Sequence, residues 1–319
     1  MSRAWRLLGW LAMAALAAYF LWFAFRNISL EALAEVLTVP VAIAVLAAAV
    51  LYATIIPVSA WAWSILLARQ GEQWEASQLA GLLGRVQLAK YLPGNIAQHA
   101  GRAFVSMRAG MSGRLFAITV VQETLLAATA SVLVGATAVA LSRSGMQHLP
   151  PESLIWLQAT GIFLVVAVVI LSAFNLEPAE LRRSSSRILR FIGHAGGMPG
   201  PRVVLPALAA YSLNYLMIGL GLWIVALAAG FSDSIDLGVA TAVFALSWLL
   251  GFLAPGAPAG LGVREGIMVL MLSPLMPDSE ALAFVLLARL VTLAGDAIIY
   301  LCSLALARRL ANAQTGVSR

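Results

Sequence analysis

The sequence is poor in cysteine, lysine and charge. It contains one cysteine, Cys302, and one lysine, Lys90, among 319 residues. A lone thiol excludes an intramolecular disulfide and any metal site built from several cysteines. Charged residues make up 11% of the chain and hydrophobic residues 61%, whereas a soluble domain carries about a quarter charged residues. With a mean hydropathy of +0.92, the chain is predicted to be an all-α polytopic membrane protein.

Motifs for common cofactors and hydrolases are also missing. The sequence has no G-x-x-x-x-G-K-[ST] phosphate loop, no HExxH and no GxSxG, so ATP hydrolysis through that loop and the common hydrolase chemistries are not expected. We predict no cofactor and no metal. The net charge of +6 comes from basic residues in short segments at the ends of apolar runs. This placement favours a membrane surface and argues against nucleic acid as a partner.

The apolar runs predict about six transmembrane helices, because a span needs roughly 20 apolar residues. They lie at residues 5–25, 39–67, 113–141, 154–174, 204–229 and 281–306. Two further stretches, 78–110 and 236–275, are interrupted by proline, glycine and charge. A lipid-facing helix does not tolerate such interruptions, so we interpret both stretches as re-entrant helical hairpins.

Arginine placement predicts the orientation. The basic segments at Arg3 and Arg6, at Arg69, in the loop 175–203 and at the C-terminal tail should be cytoplasmic by the positive-inside rule. Both termini are then cytoplasmic, in a multi-pass protein of the bacterial inner membrane. Six spans alternate correctly only if each hairpin leaves on the side from which it enters, which places the two hairpins on opposite faces.

The two hairpins contain a weak internal repeat. LPGNIAQHAGR and APGAPAGLGVR, aligned on Pro93 and Pro255, share Pro-Gly, an alanine and an arginine, Arg102 or Arg264.

The predicted organisation is a single transmembrane domain, 1–319. It comprises an N-terminal helix and loop (1–38), a first repeat (39–174, hairpin 78–110) and a second repeat (204–306, hairpin 236–275). The predicted hairpin-turn residues are Pro93, Gly94, Pro255, Gly256, Gly260 and Gly262. An inverted repeat of this kind is typical of secondary transporters, whose substrate sites lie at broken helices.

Several of these segments resemble a known family. KYLPGNIAQHAGR, RAGMS and VVQET, with the later PAGLGVREG and LARLVTLAGD, are similar to the transmembrane region of lysylphosphatidylglycerol synthase and related stand-alone flippase-like proteins. The resemblance covers about 80–300. It implies an inner-membrane helical domain that moves or accommodates phospholipids or lipid-linked intermediates. It does not imply lysyl transfer, and APGAPAG departs from the double glycine that the family often has.

Charged residues within apolar segments are the candidate site, since an ionised side chain at the bilayer centre costs about 2.5–3.5 kcal/mol on insertion scales. Arg102 and Arg264 follow Pro-Gly turns, where helix N-termini suit an anion, so together they could hold a lipid phosphate. The alternative is that each arginine pairs with an acid and locks its hairpin. The predicted substrate-binding set is Arg102, Arg264, Glu123, Glu265, Asn95, His99, Lys90, Arg289 and Asp296.

Within this set, Glu123 and Glu265 would balance the arginine charge, or one acid would carry a proton. Arg289 and Asp296 are seven residues apart on one helix face, and we expect them to take structural ion-pair roles. Lys90 and His99 would contribute to a basic vestibule. The tryptophans are interpreted as interfacial or packing residues.

The function expected from these residues is that of a flippase-like transporter, not an enzyme, for an anionic phospholipid or a polyprenyl-phosphate-linked lipid. One alternative is a membrane glycosyltransferase that uses acids of FSDSID or of the Glu31/Glu35 segment. Another is a non-transporting partner of a lipid-modifying enzyme or glycosyltransferase.

Overall fold

The computed structural model describes residues 36–91, 96–143, 199–253 and 262–316, together with a few helical positions between 155 and 183. These residues form helices and turns, without strands. In chain order the helices are α1 (Val39–Ala53), α2 (Ile55–Arg69), α3 (Ala76–Arg85), a 3-10 helix (Gln87–Tyr91), α4 (Ile96–Arg108), α5 (Gly113–Leu141), α6 (Pro201–Ala228), α7 (Leu237–Leu253), α8 (Val263–Leu272) and α9 (Asp278–Gly316).

Four stretches of helix in the described part are long and apolar enough to cross a membrane. They are Val39–Arg69, which joins α1 and α2, Gly113–Leu141, Pro201–Ala228 and Asp278–Leu306. They confirm four of the six predicted spans and show a multi-pass membrane protein. The predicted span 5–25 lies outside the described residues, and 154–174 is described only in part, with helix at 158–164.

The span Val39–Arg69 is interrupted where the chain turns from α1 into α2. Pro57 is the third residue of α2, and proline cannot donate the backbone hydrogen bond that would continue the ladder into α1. Thr54, between the helices, instead donates its hydroxyl to the Leu51 carbonyl at 2.6 Å. The break places Ile55 and Ser59 beside the central cavity described below.

Each predicted hairpin is a pair of helices, as its interrupted sequence requires. The first pairs α3 and the 3-10 helix with α4, and the second pairs α7 with α8. The predicted turn residues Pro93, Gly94, Pro255, Gly256 and Gly260 lie outside the described residues. That both hairpins turn back within the bilayer stays a prediction.

The sixth predicted turn residue, Gly262, is described and is the N-cap of α8. Its φ of +81° belongs to the region that glycine adopts without a steric penalty. Its N–H donates to the Glu265 carboxylate at 2.8 Å, so the start of α8 is capped by its own first turn.

The two halves of the chain pack on each other reciprocally. The first arm of each hairpin contacts a long helix of the other half, with α3 on α9 and α7 on α5. Each first arm also contacts the span before it, α3 on α2 and α7 on α6, and each second arm contacts the span after it, α4 on α5 and α8 on α9. This exchange of partners agrees with the predicted internal repeat, which stays a prediction.

Close approach between α6 and α7 depends on Gly219. A Cβ at this position would lie 2.7 Å from the Cα of Thr241, so Gly219→Ala is expected to destabilise the protein by about 1–3 kcal/mol through overpacking. Gly81→Ala is the matched control, because its nearest neighbour would be 3.8 Å away. Apparent melting temperatures in detergent should fall for the first variant and not for the second. Equal melting temperatures would contradict this packing.

Candidate functional site

A cavity of about 620 Å³ lies between the two halves. Each of the helices α1 to α9 contributes to its wall, as does the 3-10 helix. Six residues of the predicted substrate-binding set line it: Lys90, His99, Arg102, Glu123, Arg264 and Arg289. Glu265 and Asp296 are bonded to members of this group, while Asn95 lies outside the described residues.

Arg102 is held by an acid and by aromatic rings. Its guanidinium lies 2.5 Å from the Glu123 carboxylate of α5 and 3.9 Å from the ring centre of Trp63. Trp63 is fully buried and donates its indole N–H to Thr119 at 2.9 Å, so the ring beneath the guanidinium is itself fixed. The predicted alternative, in which arginine pairs with a nearby acid, therefore describes Arg102 in this state. Arg102 is the seventh residue of α4, further from the helix start than expected.

Asp296 is the most heavily bonded acid beside the cavity. It has no solvent exposure, forms an ion pair with Lys90 at 2.7 Å, and accepts hydrogen bonds from the Gln87 amide at 2.9 Å and from the Tyr91 hydroxyl. Lys90 also donates to the Tyr52 hydroxyl at 3.1 Å. Gln87, Lys90 and Tyr91 belong to the 3-10 helix, so this one carboxylate fastens the first hairpin to α9.

Arg289 and Glu265 form the third ion pair, at 3.2 Å. The other Glu265 oxygen accepts the Gly262 N–H, so the pair ties the start of α8 to α9. Arg289 and Asp296 both form ion pairs, each with a partner from a hairpin, and their structural role stays a prediction. Lys90 is likewise bound to an acid and is not a free part of a basic vestibule.

Arg264 differs from its counterpart Arg102. It is the second residue of α8, 8% exposed, and its guanidinium lies 4.4 Å from the ring centre of Phe244. No described carboxylate lies within the 4.0 Å that defines an ion pair, and its buried Nε has no hydrogen-bond partner in the described part of the chain. Glu265, its neighbour in sequence, is bonded to Arg289 instead.

The ion pairs leave the site with one excess positive charge. Its cations are Lys90, Arg102, Arg264 and Arg289, and its carboxylates are Glu123, Glu265 and Asp296. Three acids neutralise three cations, so among these seven groups the charge of Arg264 remains. A buried cation of this kind is costly unless an anion balances it. The site is therefore complementary to an anionic group.

Further polar atoms on the cavity wall have no hydrogen-bond partner among the described residues. They include Nδ1 of His99 and Oδ1 of Asn214. Sequence analysis missed Asn214, although it lies in the middle of a 28-residue apolar helix, and a polar residue so placed is itself a signal of function. Buried polar atoms normally have partners, so these atoms indicate that the cavity accommodates polar groups.

FSDSID contains two acids, of which Asp233 is exposed and Asp236 has a structural role. Asp236 accepts hydrogen bonds from the Ser142 hydroxyl at 2.9 Å, the Arg143 N–H at 2.9 Å and the Val239 N–H at 2.8 Å. It caps α7 and joins it to the end of α5. Glu31 and Glu35, the other acids considered for a glycosyltransferase, lie outside the described residues.

Comparison with known families gives a match over most of the chain. The family model described as "Lysylphosphatidylglycerol synthase TM region" matches residues 10–299. This includes both hairpins and the charged residues that border the cavity. No curated protein matches the sequence.

Proposed function

The chain belongs to the lysylphosphatidylglycerol synthase transmembrane-region family, and from this membership and the charged cavity we propose that it is a flippase-like transporter. The substrate is a phospholipid or a polyprenyl-phosphate-linked intermediate, carried across the bacterial inner membrane with both protein termini cytoplasmic. Arg264 binds its headgroup phosphate. Arg102 takes part once it separates from Glu123.

The observation that carries this proposal is the guanidinium of Arg264, which has no acidic partner among the described residues. A phosphate placed there gains a charge-assisted hydrogen bond, which contributes about 1.5–3 kcal/mol. It also relieves the cost of a buried cation without a counterion. The position of Arg264 in the first turn of α8 adds the partial positive charge of a helix N-terminus.

The architecture supports alternating access as the mechanism. In transporters with inverted repeats, substrate sites lie between the repeats at broken helices, and one unit rocks against the other. Here both hairpins border one cavity, and each is tied to a span by ion pairs. Arg102–Glu123 and Glu265–Arg289 join the second arms to α5 and α9, while Lys90–Asp296 joins the first hairpin to α9. Exchange of these ion pairs is the movement that opens the cavity to one face and closes it to the other.

The direct test is lipid translocation by purified protein in liposomes. Fluorescent phosphatidylglycerol in the inner leaflet should become accessible to dithionite faster than in protein-free liposomes. A zwitterionic probe with the same chains should move roughly tenfold more slowly, because its ammonium group brings a second positive charge near Arg264. A repulsion of about 1.4 kcal/mol corresponds to a tenfold difference.

A variant outside the cavity controls for general effects of arginine loss. Arg69 lies exposed at the end of α2 and does not line the cavity, so Arg69→Ala should transport at the wild-type rate. Liposomes that show the same rate with and without protein, for the anionic phospholipid and for a polyprenyl-phosphate probe, would refute transport as the function.

A further inference from the structure

A row of aromatic side chains runs along one wall of the cavity. Phe244, Trp248 and Phe252 of α7 are spaced four residues apart, which places them on one helix face, and all three line the cavity. Trp248 stacks on Phe252 with ring centres 5.5 Å apart and planes 8° apart. Tyr215 of α6 meets Trp248 edge-on at 5.6 Å. We call Phe244, Trp248 and Phe252 the aromatic file.

The aromatic file connects the charged part of the cavity to the surface of the protein. Its inner end, Phe244, lies beneath the Arg264 guanidinium at 4.4 Å. Its outer end, Phe252, is 37% exposed, and the other residues that line the cavity are buried or half-buried. Eight residues of α-helix separate the two ends, a rise of about 12 Å.

The outer end opens on an apolar surface. Leu253, which follows Phe252 directly, and Leu250, two residues before it, are exposed and apolar. In a membrane protein such side chains face hydrocarbon. The cavity is therefore polar beside Arg264 and apolar where it reaches the surface.

We propose that the aromatic file is the subsite for the hydrocarbon chain of the lipid, an inference that rests on the proposed function. The cavity has a volume of about 620 Å³ and is bordered by charged groups. If a lipid with its phosphate at Arg264 also had its chains in this cavity, the apolar chains would lie against those charged groups. The file gives the chain an apolar route from the phosphate to the bilayer, so the headgroup crosses inside the protein while the chain remains in hydrocarbon. Trp248, held by Phe252 and Tyr215, is the rigid surface against which the first part of the chain packs.

Photocrosslinking tests this placement in the wild-type protein. Phosphatidylglycerol with a diazirine in its acyl chain is reconstituted with the full-length protein and irradiated. The labelled residues are then mapped by mass spectrometry. We expect labelling at Trp248 and Phe252 that falls several-fold with excess unlabelled phosphatidylglycerol. Labelling at Phe104, which is exposed on α4 and does not line the cavity, should not respond to the competitor in this way. Absence of competed labelling at Trp248 and Phe252 overturns the inference.

A chain-length comparison gives a second readout. Phe252→Ala should slow transport of a long-chain phosphatidylglycerol several-fold more than transport of a short-chain analogue with the same headgroup. Slowing both probes equally would indicate a structural role and overturn the inference. If the wild type transports lipid but the aromatic file shows no competed labelling, the chain subsite alone is refuted. If the wild type does not transport lipid, the proposed function is refuted and this inference with it.

Discussion

Arg264→Gln is expected to slow translocation of anionic phospholipid by at least about tenfold while leaving the protein at least as stable as the wild type. The loss follows from removal of a charge-assisted hydrogen bond to the phosphate, which contributes about 1.5–3 kcal/mol. Stability does not fall, since the guanidinium is buried without an acidic partner in the described structure and the substitution removes a desolvated charge. Translocation in liposomes and apparent melting temperature in detergent measure the two effects separately.

Arg102→Gln is the matched control. Arg102 is the corresponding arginine of the internal repeat and, unlike Arg264 in the described structure, it has an acidic partner. It separates Glu123 from its ion-pair partner at 2.5 Å, and removing one member of a buried pair costs about 3–5 kcal/mol. Glu123 is 13% exposed to the cavity, so we expect a value near the lower limit, about 3 kcal/mol. Glu123→Gln in the same chain should restore part of this stability, as double-mutant cycles of contacting residues do.

A loss of stability for Arg264→Gln as large as for Arg102→Gln would mean that Arg264 also has an acidic partner. Normal transport in both variants would refute the phosphate clamp.

The spans could be predicted because the bilayer imposes a length on them. A run of roughly 20 apolar residues has few other uses, so 113–141 in the sequence becomes Gly113–Leu141 in the structure. Proline, glycine and charge within 78–110 and 236–275 likewise indicated broken helices. The charged residues that line the cavity could be identified for the same reason, since ionised groups in apolar segments need a partner or a polar cavity.

The ion-pair partners could not be predicted, because tertiary packing decides them. Arg264 and Glu265 are adjacent in sequence, but adjacent residues on a helix do not face each other, and Glu265 reaches Arg289 instead. Arg289 and Asp296 share a helix face, but each has a nearer partner on a hairpin. Lys90 and Asp296 are 206 residues apart, and only the contact between the 3-10 helix and α9 brings them together. The excess charge of Arg264 was therefore not visible in the sequence.

Asp296→Ala is expected to produce the largest loss of stability among the variants considered, about 3–5 kcal/mol, the range for removal of one partner from a buried ion pair. Asp296 has no solvent exposure, and its removal leaves Lys90 without its anion and Gln87 and Tyr91 without their acceptor. The 3-10 helix would lose its attachment to α9, so the first hairpin should also become accessible to protease. Thermal unfolding in detergent and limited proteolysis measure these two consequences.

A double variant separates loss of the ion pair from loss of packing. Replacing a buried pair by apolar residues of similar volume is often neutral, so Lys90→Met with Asp296→Leu should recover much of the stability lost in Asp296→Ala.

Glu280→Ala controls for loss of an acid on the same helix. Glu280 is exposed in the first turn of α9, where its interaction with the helix dipole contributes under about 1 kcal/mol. If Asp296→Ala costs no more than Glu280→Ala, the carboxylate does not hold the first hairpin. If the double variant recovers stability but not transport, exchange of this ion pair is part of the transport cycle, because the apolar pair keeps the hairpin closed.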